Sequence, residues 1–545
     1  MSLPTQKLAR HFVLVCSLLM LSWVYSYIDI LPLRPTSVHQ WRQADGLSIA
    51  DNYYEGNWNF FQPSLHLLFS DGETSGKSAG EFPLIYYLVA ILWKIFGKHE
   101  IIFRLVTIVF SFCGLLALFK LSYAILKDYF WALASVIFLF SSPIFAFYTN
   151  NFLVNIPAFS LMLIALWRFY LFWKSGRDRN LYLSMTLFLF VGLFKPSSLL
   201  AFLVIGVLYL LEVLGHVKLK AEGRVFAKPL KQAIPFAAVL AGVAAWYSYV
   251  ISYNNMHGGV YTINNVQTYW STSPEQINSS LNAFRNFIVF QVLSIPSYLY
   301  LLLCLVYLTV RFRKVALVWR IAIPLLVVGY LGFILLFFYS LDYHDYYHID
   351  FLIVPVVINL AFLHYLRRNE FRIFQSHLLK LAFGFFLFYN VLYCANNMHL
   401  RYWGQNNHQS YFRQLLSPKV DLDGWAYAAW VYPFAPYETV TPVLRAHGIK
   451  REDRVICPED CSYSISLYLM DQKGWTNVGS TLTDSACIAD RIIHGAQYLM
   501  LTDTANFRLP FLHPYGGHHL FSYEKLQIFD LRPYAEIIRK KKEGK

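Results

Sequence analysis

The chain has 545 residues and a mass of 63.4 kDa. It is 57% hydrophobic, 18% aromatic and only 14% charged, with a mean hydropathy of +0.41. A soluble domain is nearer 45–50% apolar and about 25% charged, so this composition excludes a disordered chain, a coiled coil and a conventional soluble enzyme. The net charge is +14, and +12 of it falls in residues 1–397, because residues 398–545 carry 17 Lys/Arg against 15 Asp/Glu. Basic excess in the apolar part is a topology signal, and no nucleic-acid partner is expected.

Apolar runs occur at 11–29, 101–119, 130–148, 156–173, 181–194, 197–214, 233–252, 286–310, 321–340, 351–366 and 381–396. Most are close to the roughly 20 residues that cross a hydrocarbon core. The first has basic flanks (Lys7, Arg10) and no small-residue cleavage site, which predicts an uncleaved anchor with a cytoplasmic N-terminus. The run 83–97 is too short to span, reaching about 22 Å as a helix. With it outside the bilayer, 20 basic residues lie on one side and eight on the other. With it inside, the later basic loops face outward, against the positive-inside rule. It is therefore expected as an amphipathic helix on the outer surface.

Eleven spans place three segments outside: a first loop (30–100), a loop at 253–285, and the C-terminal region. The predicted fold is a polytopic α-helical membrane domain over 1–397, about 11 transmembrane helices plus outer amphipathic helices, followed by a small α/β extracytoplasmic domain over 398–545. Within the latter, DRVIC, QYLMLTD and LQIFDL read as strands, and SYSISLYLM and DSACIADRII as helices. Cys457 and Cys461, in CPEDC, are either a small disulfide or two thiols. The basic tail RKKKEGK reads as a solvated or headgroup-touching end.

The spans hold essentially no Asp or Glu, apart from Asp29 and Glu212 at span ends. Transporters carry ionisable groups inside their spans; here the polar residues concentrate in outer loops, as in an enzyme acting at the membrane surface on a lipid-linked substrate. In the first loop Asp45 is a carboxylate placed for a lipid phosphosugar at that surface, and Arg42 supplies charge for phosphate. The competing reading makes Asp45 the cap of a helix starting at GLSIADNYY. Asp51 is expected on that helix's surface. His39, Gln40 and Trp41 form either a sugar-stacking surface or an interfacial anchor.

An acidic residue soon after the first span, then a Pro-Leu-x-Tyr-Tyr segment, then Arg104-Leu105 opening the next span, resembles the polyprenyl-phosphate-sugar-dependent glycosyltransferases of the GT-C fold. These are the glycosyltransferase family 39-like proteins, related to protein O-mannosyltransferases and lipid A aminoarabinose transferases. The resemblance covers roughly residues 8–370 and is carried by QADGLSIADNYY, EFPLIYYLVAILWKIFG, SSPIFAFYTNNFLVNIPAF, GLFKPSSLL and YHDYYHIDFLIVP. There are three departures. Asp45 is followed by Gly46 where the family often has a second acid. Gly80-Glu81-Phe82-Pro83 stands where lipid A transferases place Lys before Pro-Pro. Asn155 stands where an Asp is common. They leave the acceptor open between a glycan, a lipid and a protein.

The resemblance implies a polyprenyl-phosphate-linked sugar donor, an inverting displacement at the anomeric carbon, and a bacterial inner membrane with the site and C-terminal domain extracytoplasmic. That chemistry needs a base for the acceptor hydroxyl and positive charge on the departing phosphate. Asp45 is the expected base; Arg42 and Lys195 are expected on the phosphate. Tyr343, His344, Asp345, Tyr346, Tyr347 and His348 form a polar outer turn expected to bind the donor head. Glu81, Arg104 and Asn155 are secondary candidates, with Arg104 expected mainly to pack. His344 and His348, four apart, have the spacing of a metal pair on one helical face, but a phosphate leaving group requires no metal and no cofactor is expected. A lipid-linked-sugar transporter or flippase and a non-catalytic glycan-assembly scaffold are the alternative functions.

Overall fold

The computed structural model describes residues 3–56, 58–259, 267–342, 344–404, 431–502 and 509–543. It divides into a helical unit (Met1–Pro32, Phe103–Trp246, Asn265–Val420) and a mixed unit (Leu33–Ile102, Tyr247–Asn264, Asp421–Lys545).

Every expected span has a helical counterpart. Among the described residues, seven helices are long and apolar enough to cross a membrane: Glu100–Leu126, Asn155–Ser175, Pro196–Val213, Pro229–His257, Leu317–Leu336, Asp345–Asn369 and His377–Trp403. Helix Leu3–Val24 covers the first run and the 17-residue Asp178–Phe194 the fifth. The helices that leave apolar side chains outward, such as Leu299, Leu302, Leu303 and Val310, expose them as lipid-facing helices do, with backbone groups bonded within the helix. Gly114 lets two spans meet closely: a Cβ there would stand 2.8 Å from the Cα of Ser160.

Two runs that read as straight spans are bent. Tyr129–Phe140 and Pro143–Thr149 meet at 77°, and Pro274–Val292 and Ile295–Val310 at 85°. Each break has a helix-start signature: Ser then Pro-containing first turn. Ser142 Oγ donates to the Val292 carbonyl at 2.6 Å, and Ser294 Oγ accepts from the Ser297 backbone N–H at 3.3 Å. Hydropathy over a window averages across such a break.

The mixed unit contains a five-stranded sheet: β1 (Arg454–Cys457), β2 (Lys473–Thr476), β3 (Ala496–Thr502), β4 (His519–Tyr523) and β5 (Leu526–Asp530), in spatial order β2-β1-β3-β5-β4. β1 pairs in parallel with β2 and β3, across helices Ile465–Leu469 and Ser485–Ile493; β5 is antiparallel to both β3 and β4. Its core joins Ile456, Trp475, Ile488, Leu499 and Phe529 to Leu68 of the first loop. That loop segment is fastened to the edge strand: Leu68 N–H donates to the Gly474 carbonyl (2.8 Å) and Gly474 N–H to that of His66 (3.2 Å). Gly474 is required there, since a Cβ would lie 1.9 Å from the Val455 carbonyl oxygen. Residues 247–259 join the same unit. The Asn254 amide bonds Ala79 N–H and carbonyl, both at 2.8 Å, and His257 Nδ1 bonds Asp71 at 2.6 Å. The 83–97 run is helix Leu84–Phe96, 13 residues, or about 20 Å. Cys457 and Cys461 are both free thiols.

Candidate functional site

Asp45 lies inside helix Gln40–Glu55 and does not cap it. The chain enters that helix through Ser37 and His39, two non-glycine residues at φ +70° and +60°, a backbone form that surrounding structure must enforce. Twelve of the helix's 16 residues are buried, because first-loop and C-terminal segments of the same unit wrap it. Asp45 is thus enclosed, 1% exposed, where the sequence suggests a surface carboxylate, and its Oδ1 has no hydrogen-bond partner among the described residues. One turn earlier, Arg42 Nη1 stands 3.9 Å from Asp45 Oδ2 while Nη2 is bonded to Glu81. Burial pushes the Asp45 carboxyl up to about 7, the Arg42 charge opposing it and Glu81 and Asp460 adding to it. Asp460, itself buried, accepts from Ser466 Oγ (2.6 Å) and from the backbone N–H groups of Ser462 (2.7 Å) and Ser466 (2.8 Å). Burial, then the Asp45 charge, raises the Tyr463 phenol. A carboxyl near 7 with an open oxygen exchanges a proton at neutral pH, which is what a general base requires.

Asp51 is not a surface residue: it is fully buried. Lys98 Nζ and Arg451 Nη2 each reach it at 2.8 Å, and His66 Nε2 at 3.2 Å. Arg451 and Lys98 continue to Asp471 at 3.1 and 3.2 Å. Burial raises the Asp51 carboxyl, but the His66 hydrogen bond and the surrounding cations outweigh it and hold the acid below its ordinary range. Asp51, His66 and Asp471 bring ligand-type atoms within 4.8 Å of one another. Two cations of the chain itself already neutralise that group, so its chemistry is that of an ion-pair cluster fixing the helix that carries Asp45.

In the helical unit, the expected donor-binding turn is a 3₁₀ helix, Asp345–Leu352, preceded by His344; Tyr343 lies outside the described residues. His344 stands before that helix with non-helical backbone angles (φ −90°, ψ 63°), so it and His348 do not share a helical face. His344 Nδ1 bonds the Asp342 carbonyl (2.5 Å) and His348 Nδ1 the Tyr330 hydroxyl (2.7 Å). Asp345, fully buried, accepts from the Tyr148 hydroxyl at 2.6 Å and from Arg401, whose Nε and Nη2 also donate to Gln291 Oε1 at 2.9 and 2.7 Å. Asn155 Nδ2 donates to the Tyr346 carbonyl at 3.1 Å. The Lys195 ammonium stands over the Tyr347 and Tyr346 rings, 4.7 and 5.9 Å from their centroids. Asp350 accepts from Ser198 Oγ at 2.7 Å and also from Ser197. Arg104 is buried, packs 4.1 Å from the Phe152 ring centre and donates to the Asn150 carbonyl.

Residues 79–251 match the family model described as dolichyl-phosphate-mannose-protein mannosyltransferase. Crystal structures of ArnT from Cupriavidus metallidurans superpose over almost the whole chain. The apo form is 11% identical, with TM-score 0.57, covering 97% of this chain and 98% of that one. The form bound to undecaprenyl phosphate is 9% identical, with TM-score 0.55 and coverages of 95% and 97%. The apo oligosaccharyltransferase of Archaeoglobus fulgidus is 12% identical, with TM-score 0.51, covering 94% of this chain and 74% of that one. The chain has the GT-C fold. It is a polytopic membrane protein. No curated protein sequence matches it.

Several polar residues of this GT-C chain escape sequence reading. Arg401, Gln291 and Tyr148 come from three distant segments, and the one local sign is a lone Arg five residues past an apolar run. Asp350, Ser197 and Ser198 lie in pieces that carry the resemblance, yet nothing local says that they meet. Asp460 and Tyr463 flank a cysteine that draws attention to thiol chemistry instead.

Proposed function

We propose that this chain is a membrane glycosyltransferase that moves a sugar from polyprenyl phosphate to an acceptor hydroxyl on the outer face of a bacterial inner membrane, with inversion. The observation that carries the reading is Asp45: a buried carboxyl with an open oxygen, pushed up to about 7, one turn from a guanidinium. Asp45 takes the acceptor proton. The acceptor oxygen attacks the anomeric carbon opposite the phosphate, the carbon–oxygen bond to phosphate breaks, and polyprenyl phosphate leaves carrying the electron pair. Arg42, aimed by Glu81, and Lys195 receive the phosphate charge. Tyr346, Tyr347, His344 and His348, with Tyr343, bind the donor head. Asp345, Asn155 and Arg104 hold backbone and neighbouring side chains in place.

The domain reading is a transmembrane glycosyltransferase domain over 1–397 and an extracytoplasmic α/β domain over 398–545. Support for the orientation comes from the mixed unit, which gathers 33–102, 247–264 and 421–545; charge bias assigns nearly all of these residues to one side. Undecaprenyl phosphate bound in the ArnT structure supports the lipid-phosphate donor. The acceptor is a glycan, lipid or protein. Purified protein incubated with a panel of polyprenyl-phosphate sugars and candidate acceptors should release free polyprenyl phosphate for one donor. Release from none, combined with transbilayer movement of the donor, would favour a flippase.

A further inference from the structure

The helical unit contains a cavity of about 400 Å³ that the proposed reaction does not use. Helices Glu100–Leu126, Asn155–Ser175, Pro196–Val213, Leu317–Leu336 and Asp345–Asn369 line it. Its walls are aliphatic and aromatic except where Lys127, Lys174 and Arg367 gather, beside Trp173, Trp319 and His364; no Asp or Glu is among the lining residues. These three cations stand at or just beyond the C-terminal ends of three different helices. The ends are tied together: Arg367 Nη1 donates to the Ile125 carbonyl (2.5 Å) and the Tyr170 hydroxyl to that of Ala124 (3.2 Å). Trp319 Nε1 donates to His364 Nδ1 at 3.0 Å. Lys127 and Lys174 are exposed and Arg367 is half-buried.

An apolar slot with a purely cationic mouth complements one kind of membrane molecule, an amphiphile with an anionic head and a hydrocarbon tail. The charge bias of the loops puts Lys127, Lys174 and Arg367 on the cytoplasmic side, where anionic phospholipids concentrate. We propose that this cavity binds one anionic glycerophospholipid, an acyl chain filling the slot and the phosphate held by Lys127, Lys174 and Arg367. Basic pockets between helices on that side are suited to such headgroups, and each basic residue near the membrane surface raises affinity about five-fold.

The test uses the full chain, purified and reconstituted in nanodiscs of phosphatidylcholine with or without phosphatidylglycerol. Native mass spectrometry counts lipid retained after release into detergent, and Tm is read in parallel. Lys127→Gln/Lys174→Gln removes the two exposed charges and touches no buried contact. Wild type should retain one phosphatidylglycerol in preference to phosphatidylcholine by about 100-fold, and the double variant, which keeps Arg367, should fall to about five-fold. Ala322→Trp, which fills the slot from a buried wall position, should abolish retention of either lipid. Equal phosphatidylglycerol retention by wild type and the double variant, or no retention by wild type, would overturn the proposal. So would displacement of the retained lipid by one equivalent of polyprenyl phosphate, which would make the cavity a donor site. Asp45→Asn should retain phosphatidylglycerol as wild type does, so failure here is separable from failure of the glycosyltransferase reading.

Discussion

Asp45→Asn should stabilise the protein as it removes the proposed base. The Asp45 carboxyl titrates at about 7 when folded and at 3.8 when unfolded. The folded protein therefore binds a proton that the unfolded chain releases between those values, and stability falls as pH rises through that window. At about 1.4 kcal/mol per pH unit, the full cost is about 4 kcal/mol above pH 7, and it vanishes below about pH 4. Asparagine has nearly the same shape and carries no charge to desolvate. Thermal unfolding in one detergent, wild type beside Asp45→Asn, measures the difference. The variant should melt several degrees higher at pH 8, and the gap should close toward pH 4.5. A variant no more stable than wild type at pH 8, or a gap independent of pH, would refute the claim that enclosure raises this carboxyl.

The same carboxyl sets an acid limb. Turnover should fall about tenfold per pH unit below 7; Arg42→Gln should move the limb to higher pH and Glu81→Gln to lower pH, since Arg42 lowers the Asp45 pKa and Glu81 raises it. Asp51→Ala leaves Lys98 and Arg451 sharing Asp471 but without the buried acid between them and should destabilise by about 1–3 kcal/mol, read as a lowered Tm at pH 7. Arg401→Met strands Asp345 in a fully buried position and should cost about 3–5 kcal/mol. Arg401→Lys should rescue little, because one ammonium cannot reproduce the planar fork shared by Gln291 and Asp345.

The membrane part is the most legible in sequence, because a span is a local property: about 20 apolar residues suffice to declare one. What hydropathy misses is geometry inside a run, as at Ser142-Pro143 and Ser294, where a helix restarts at a steep angle without losing apolar character. In the C-terminal region the apolar strands β1, β3 and β5 are readable, whereas β2, centred on Gly474-Trp475, and β4, which faces solvent along His519–Tyr523, lack the pattern. Asp45 is identifiable from its place after the first span. Its enclosure is not, since Asp460 and Tyr463 lie over 400 residues away. Asp51 shows the same limit. Its helix position suggests a surface carboxylate until Lys98, His66 and Arg451 are brought in from three other segments. Arg401 and Asp345 likewise become a pair only through folding, and the helix that begins at Asp345 leaves His344 outside it, so two histidines that a continuous α-helix would have aligned are separated.

Single-turnover transfer, with donor binding measured on the same preparation, tests proton removal by Asp45 most directly. With the donor that supports release, Asp45→Asn should bind the polyprenyl-phosphate sugar with wild-type Kd and transfer it about 10²–10⁴ times more slowly. Transfer at the wild-type rate by a correctly folded Asp45→Asn protein would contradict it.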